Sequence, residues 1–155
     1  MITLFLRRYY GTPNITKSFA TFEDDEGNVL MKCEAREGRY VDYDGTVKTP
    51  GSATFCLGRG EYRLVVDHCV GNAMCLRIYG DKRRMGFYIM VGSDEREQFM
   101  LKRVQLGRGT TSEPKYRRIC DFEKTKQELY NLLHDNFIEE FRMIVSNENI
   151  IKEEE

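Results

Sequence analysis

Five cysteines and two histidines are the groups in this chain that could supply a nucleophile and its base. A thiol attacks efficiently near neutral pH when a neighbour holds it as thiolate, and histidine is the usual neighbour. The layout that would hold such a pair runs from Met74 to Gly107: two apolar runs, MCLRIYG and RMGFYIMVG, a polar loop SDEREQF, and a third run ending VQLGRG. Strand, loop and strand closed by glycines would suit a small β-rich hydrolase or acyl transferase. Yet the stretch contains Cys75 as its one cysteine and no histidine.

Other pairings are poor substitutes. His68 and Cys69 are adjacent on a strand, so their side chains point to opposite faces. His68 could reach Cys75 across Gly71-Asn72, but the alternation around Cys75 marks a buried thiol. His134 falls at the end of a helical stretch, where it suits the negative end of the helix dipole. Asp24, Asp25, Glu26 and Glu34 have no basic group at a spacing that makes acid–base work legible, and they are expected to be solvated turn charges. Cys33, Cys56, Cys69, Cys75 and Cys120 are irregularly spaced, with no CxxC and no Cys/His cluster, so reduced thiols are expected, without metal, disulfide or cofactor. Gly58-x-Gly60 and Gly107-x-Gly109 lack the fingerprint of a phosphate loop and read as strand-end turns.

One cluster rises above this background. From Leu101 to Ile119 the cations Lys102, Arg103, Arg108, Lys115, Arg117 and Arg118 face a single acid, Glu113, with Tyr116 among them. These seven residues are the candidate partner-binding set: such a segment suits phosphate contacts, with Tyr116 available for base stacking. The competing expectation is that the cations pair with Asp94, Glu95 and Glu97 or with the terminal glutamates. A whole-chain net charge of −1 favours that pairing.

The elements that must position these groups follow from periodicity. A chain of 155 residues suits one domain with a substantial core. Period-two alternation predicts strands at Ile2–Tyr9, Ser18–Glu23, Val29–Glu34, Gly60–Cys69, Met74–Tyr79 and Met85–Val91, the second and third joined by a tight turn at Glu26-Gly27-Asn28. Thr54–Cys56 could open a further strand. The stretch after Glu34, to about residue 53, is a long loop suited to function or movement. The period then changes: Asp121 is placed to N-cap a helix bearing Phe122, Leu129, Leu132 and Leu133 on one face, ending near His134–Asn136. Phe141–Val145 is a closing strand, and residues 147–155 read as an acidic, frayed tail. The fold class expected is α+β over residues 1–146: a mostly antiparallel sheet or partly closed barrel with one main C-terminal helix and a closing strand. The amino terminus has a five-residue apolar run before paired arginines, far short of a signal peptide, and no run approaches a membrane span. A reducing interior without membrane contact is therefore the expected setting.

The order of landmarks resembles an uncharacterised phage- and prophage-associated domain family with His-x-Gly-Asn and Gly-Cys-Ile-Leu-x-Gly motifs. The segment CLGRGEYRL from Cys56 is similar to the family's Gly-x-Tyr strand start, and MKCEARE from Met31 to its acidic segment. RMGFYIMVG from Arg84 resembles the strand that bears the family's histidine, and VQLG from Val104 the end of its cysteine motif. The resemblance implies a layout like that of L,D-transpeptidases, in which a cysteine activated by histidine acylates on a peptidoglycan stem peptide. Here the histidine position falls on Met90, the asparagine on Ser93, and the Gly-Cys pair on Lys102 and Arg103. A thioether is no base and a guanidinium no nucleophile.

The expectation is thus a pseudoenzyme: a non-catalytic binding or structural domain of phage or prophage origin, contacting a protein, a cell-wall component or a virion component. It would sit in the cytoplasm, that of the host if phage-encoded, or on the virion. Two alternatives stand beside it: nucleic-acid contact through residues 102–118, and a cysteine-dependent peptidoglycan-active enzyme.

Overall fold

The computed structural model describes residues 1–44, 55–67, 74–80, 83–91 and 103–153, with backbone alone at residue 74, residues 83–88 and residues 91 and 103. Ten strands and one helix follow one another as β1 (Thr3–Gly11), β2 (Thr16–Glu23), β3 (Val29–Glu37), β4 (Gly60–Asp67), β5 (Met74–Gly80), β6 (Arg83–Val91), β7 (Arg103–Gly109), β8 (Ile119–Cys120), α1 (Phe122–Asp135), β9 (Glu140–Ser146) and β10 (Ile151–Lys152). The fold is α+β, as expected. Its main sheet runs β10-β1-β2-β3-β7-β6-β5-β4-β9, and an added β1–β9 pairing brings the strands round into a ring. The β1–β9 and β6–β7 pairings are parallel, and the other six in the ring are antiparallel.

Alternation decides what lies inside. Leu4 and Leu6 of β1, Ala20 and Phe22 of β2, Leu64 of β4, Leu76 and Ile78 of β5, Ile89 of β6 and Met143 of β9 are completely buried in one core. Intervening positions such as Arg7, Glu61, Arg63 and Arg142 face outward. The β2–β3 hairpin turns where its sequence predicts. Asp24 Oδ1 accepts the N–H groups of Glu26 and Asn28, each at 2.9 Å, while Gly27 takes the positive φ of 83° that an L side chain would resist.

Helix α1 leaves β8, which is paired to the end of β7, and delivers the chain to β9, so it crosses one end of the ring. Leu129 and Leu133 join the strand core from there. The predicted side-chain N-cap is not formed. Asp121 sits in the left-handed region at φ 52° and its carboxylate makes no capping bond, because the chain bends sharply from β8. At the helix C-terminus, Phe137 is also left-handed, and Ile138 N–H bonds the Leu133 carbonyl at 2.9 Å. This turns Ile138 inward against the core and leaves the Phe137 ring 91% exposed.

The opposite end is closed by the segment before β4. Leu57 is completely buried, its carbonyl accepting from Arg8 Nη2 at 2.5 Å and its N–H donating to Glu37 Oε1 at 3.1 Å. Phe55 forms an isolated bridge with Arg39 rather than opening a strand. The carboxyl-terminal tail is also corrected: Ile151 and Lys152 pair in parallel with Tyr10 and Gly11, and Tyr10 Oη donates to Glu153 at 2.6 Å, so residues 151–153 are pinned instead of frayed. Residues 154 and 155 lie outside the described set, as do the predicted Gly71-Asn72 turn and residues 45–54 of the long loop. No helix among the described residues is long and apolar enough to cross a membrane.

Candidate functional site: a basic pocket beneath the β7–β8 connector

The connector between β7 and β8, residues 110–118, is fastened both within itself and to the sheet beneath it. Thr110 N–H donates to the Arg118 carbonyl at 2.9 Å, and the N–H groups of Tyr116 and Arg117 both donate to the Glu113 carbonyl. Lys17 of β2, buried beneath it, donates from Nζ to the carbonyls of Pro114 (3.0 Å), Lys115 (3.4 Å) and Arg117 (2.6 Å). Arg117 reaches down to Glu34 of β3 with both arms of its guanidinium, Nε at 2.7 Å and Nη2 at 2.5 Å. Such a fork-to-carboxylate pair fixes orientation as well as supplying energy.

Glu34 is therefore no solvated turn charge. Its carboxylate is nearly buried, and Oε1 also accepts from Tyr9 Oη at 2.8 Å. Burial and the Glu34 carboxylate push the Tyr9 phenol well above its ordinary range. The Arg117 guanidinium is held charged more firmly than usual by its bonds to Glu34, against the opposing effect of burial. Room for the carboxylate comes from Gly109: a Cβ there would fall 1.7 Å from Glu34 Oε2, and one on Gly107 would fall 2.6 Å from the Cys120 carbonyl. Of these two glycines, expected at a strand-end turn, Gly109 is the last residue of β7 and Gly107 lies inside it, and side chains or backbone crowd against both.

Between the connector, β2, β3 and the start of α1 lies a pocket of about 450 Å³. Among the described residues its wall carries five cations, Lys17, Arg36, Lys115, Arg117 and Arg118, and no carboxylate. Ile15, Ile119, Cys120, Phe122 and Tyr116 make up the remainder. Arg36 is buried, held by Gln105 Oε1 at 2.8 Å from Nε and by the face of Phe122, 4.8 Å from the guanidinium carbon. Lys115 stands 3.9 Å from Glu153, and Arg118 is exposed, its side chain forming no ion pair with a described residue. Tyr116 is 67% exposed at the lip.

The candidate set is thus divided. Lys115, Tyr116, Arg117 and Arg118 meet at the pocket. Arg108 lies outside it, paired with Glu128 of α1 at 2.9 Å. Lys102, the Arg103 side chain and the acids Asp94, Glu95 and Glu97 fall outside the described residues. Of the described cations in the set, Arg117, Arg108 and Lys115 pair with Glu34, Glu128 and Glu153. Lys17 and Arg36 were not legible as site residues: each looks like an outward charge on an alternating strand until the connector folds over it.

Nothing comparable forms around a thiol among the described residues. Cys75 is buried in β5, and its partner in the β5–β6 register is Met90, where the resemblance to the phage-associated family would put histidine. Burial pushes the Cys33 thiol up to about 12 and raises that of Cys56 as well. His68 lies outside the described residues. His134 stacks on Tyr130 with ring centroids 5.4 Å apart in the last turn of α1. No group of three or more metal-ligating side chains occurs among the described residues.

Compared with protein-family models, curated proteins and solved structures, the chain gives no match.

Proposed function

We propose that the protein is a non-catalytic binding domain that recognises an acidic partner protein through the β7–β8 connector and the pocket beneath it. The observation that supports this reading is the fastening of the connector by buried Lys17 and by Arg117–Glu34. A loop fixed before its partner arrives loses little conformational entropy on binding. Tyr116 and Arg118 then stand exposed at the rim, and exposed aromatic and arginine side chains on a rigid support are what interface hot spots are made of. In this reading the scaffold resembling the phage-associated family serves attachment, to a virion or host protein, without acyl transfer. A nucleic-acid track is disfavoured because Arg108 and Arg117, two of its intended phosphate contacts, are engaged by carboxylates.

The test is selection of a random-peptide display library on the folded protein and on a Lys115→Glu, Tyr116→Ala, Arg118→Glu triple variant. The changed side chains are exposed, so the thermal midpoint should be unaltered. Peptides rich in Asp and Glu should be enriched on the parent and lost on the variant. Enrichment that is equal on both, or absent from both, would overturn the reading.

A further inference from the structure

We infer that the acidic partner met by the β7–β8 connector is a second copy of this chain, which receives Tyr116 and Arg118 at an apolar groove beside the C-terminal end of α1. The inference rests on the reading of the connector as a recognition surface and names what that surface recognises. The groove encloses about 280 Å³. Among the described residues its apolar lining is Val66, Tyr130, Leu133, Phe137 and Ile138. Leu133 is buried and ties it to the core, whereas Tyr130 is 51% and Phe137 91% exposed. Apolar side chains gathered at the surface mark interaction sites, as singly scattered ones do not. Phe137 is also held there at a cost: its φ of 54° lies in the left-handed region that a bulky side chain resists, and the result is a ring kept in water at the groove's edge.

Charge identifies the occupant. Glu139 lines the groove, is exposed, and forms no ion pair with a described residue. His134 of the same lining has Asp135 3.5 Å from Nδ1, and the negative end of the α1 dipole lies beside both. An aromatic side chain accompanied by a cation complements such a wall, and the connector carries that combination. Tyr116 is 67% exposed, and Arg118, two residues on, is exposed with no ion pair to a described residue.

One copy cannot fill its own groove. The fastened connector lies by Phe122 at the start of α1 and the groove by His134 near its end, a helical rise of about 18 Å away. The contact is therefore between copies and uses a different surface on each, so it runs head to tail into a ring or a filament. A two-fold contact of groove on groove would instead set two Glu139 carboxylates together, a like-charge juxtaposition that disfavours it.

The experiment is sedimentation velocity over a range of protein concentrations at physiological ionic strength, for the parent and for Tyr116→Ala, Arg118→Glu, Glu139→Arg and Phe137→Gly. All four positions are exposed, and glycine accepts a positive φ, so thermal midpoints should be unaltered or, for Phe137→Gly, raised. The parent's average mass should climb past that of a dimer, and each variant alone should associate at least about tenfold more weakly, as after loss of an interface hot spot. An equimolar mixture of Arg118→Glu and Glu139→Arg should associate as the parent does, because each connector then meets a groove of opposite charge. A parent that stays monomeric, a mixture that stays monomeric, or an Arg118→Glu variant that associates as well as the parent would overturn this inference. If the parent still selects acidic peptides in that case, the recognition reading stands; if it selects none, both are overturned.

Discussion

Glu34 and Glu37 stand three residues apart on β3 and each accepts a two-armed arginine, but the strand sends them to opposite faces. Glu37 points into the ring and meets Arg8, with both side chains completely shielded from solvent. Glu34 points outward and meets Arg117, which stays 23% exposed. The inner pair is completed by Leu57 and by Asn147 Oδ1, 3.1 Å from Arg8 Nη1. Burial opposes the Arg8 charge, and Glu37 together with the neighbouring Cys56 and Tyr62 outweighs it, so the guanidinium is held charged. The inner arginine closes one end of the fold. The outer one fastens a loop that borders a pocket. The same chemical pair thus acts as a seal on one face and as a support for recognition on the other.

The largest effect should come from breaking the inner pair. Arg8→Ala leaves Glu37 buried without its cation and should cost about 3–5 kcal/mol in urea unfolding. Arg8→Met combined with Glu37→Leu should recover most of that loss, because apolar replacement of both partners removes the desolvation penalty. Recovery would identify the pair as a constraint on geometry rather than a source of net stability.

Arg117→Ala should cost less, about 1–3 kcal/mol, since Glu34 keeps the Tyr9 hydroxyl and gains access to water. Its more telling consequence is local: amide exchange at Thr110, Tyr116 and Arg117 should accelerate far more than exchange in β1 or β9. A uniform acceleration would mean that the outer pair is as global in its effect as the inner one.

Alkaline pH separates the two faces by another route. The folded-state pKa of Tyr9 lies above its unfolded value of 10.0, and that of Cys33 is pushed from 9.0 up to about 12. For both, the protonated form is the one favoured by the fold. Their contribution is fully present below pH 9 and is lost as pH rises, through about 12 for Cys33 and from 10 upward for Tyr9. Tyr9→Phe should reduce the loss of stability above pH 10, and an unchanged alkaline profile would remove the Tyr9–Glu34 bond from the account.

Arg108–Glu128 completes the series as a pair with 52% and 44% of its side chains exposed. Arg108→Ala should change stability by less than about 0.5 kcal/mol, as solvent-screened pairs do. A larger loss would erase the gradient from sealed to open.

What could be read from the sequence followed local pattern. The β2–β3 hairpin, β4 to β6, the helix with Leu129 and Leu133, and the closing strand β9 all appear near their expected places, because alternation and turn chemistry act over a few residues. What could not be read depended on distant partners. Arg117 and Glu34 are 83 residues apart, and Arg8 and Glu37 are 29 apart. No spacing rule connects them, so Glu34 looked like a turn charge and Arg117 like a free phosphate contact. The two-residue strands β8 and β10 carry too little pattern to stand out. The pocket shares this origin: its upper cations are contiguous in sequence, whereas Lys17 and Arg36 become part of it when the sheet assembles.

The parallel β1–β9 seam sets the time at which any of this can exist. Thr3 lies opposite Arg142, 139 residues further along the chain. At about 5–20 residues per second of synthesis, β1 waits roughly 7–28 s for the strand that closes the ring. Until then β1 is paired along one edge alone, to β2, and long-range closure of this kind is slow to nucleate. During that interval, β1 and β4 each have one backbone edge available to another nascent chain, which makes their pairing with β9 the step most exposed to competition from aggregation.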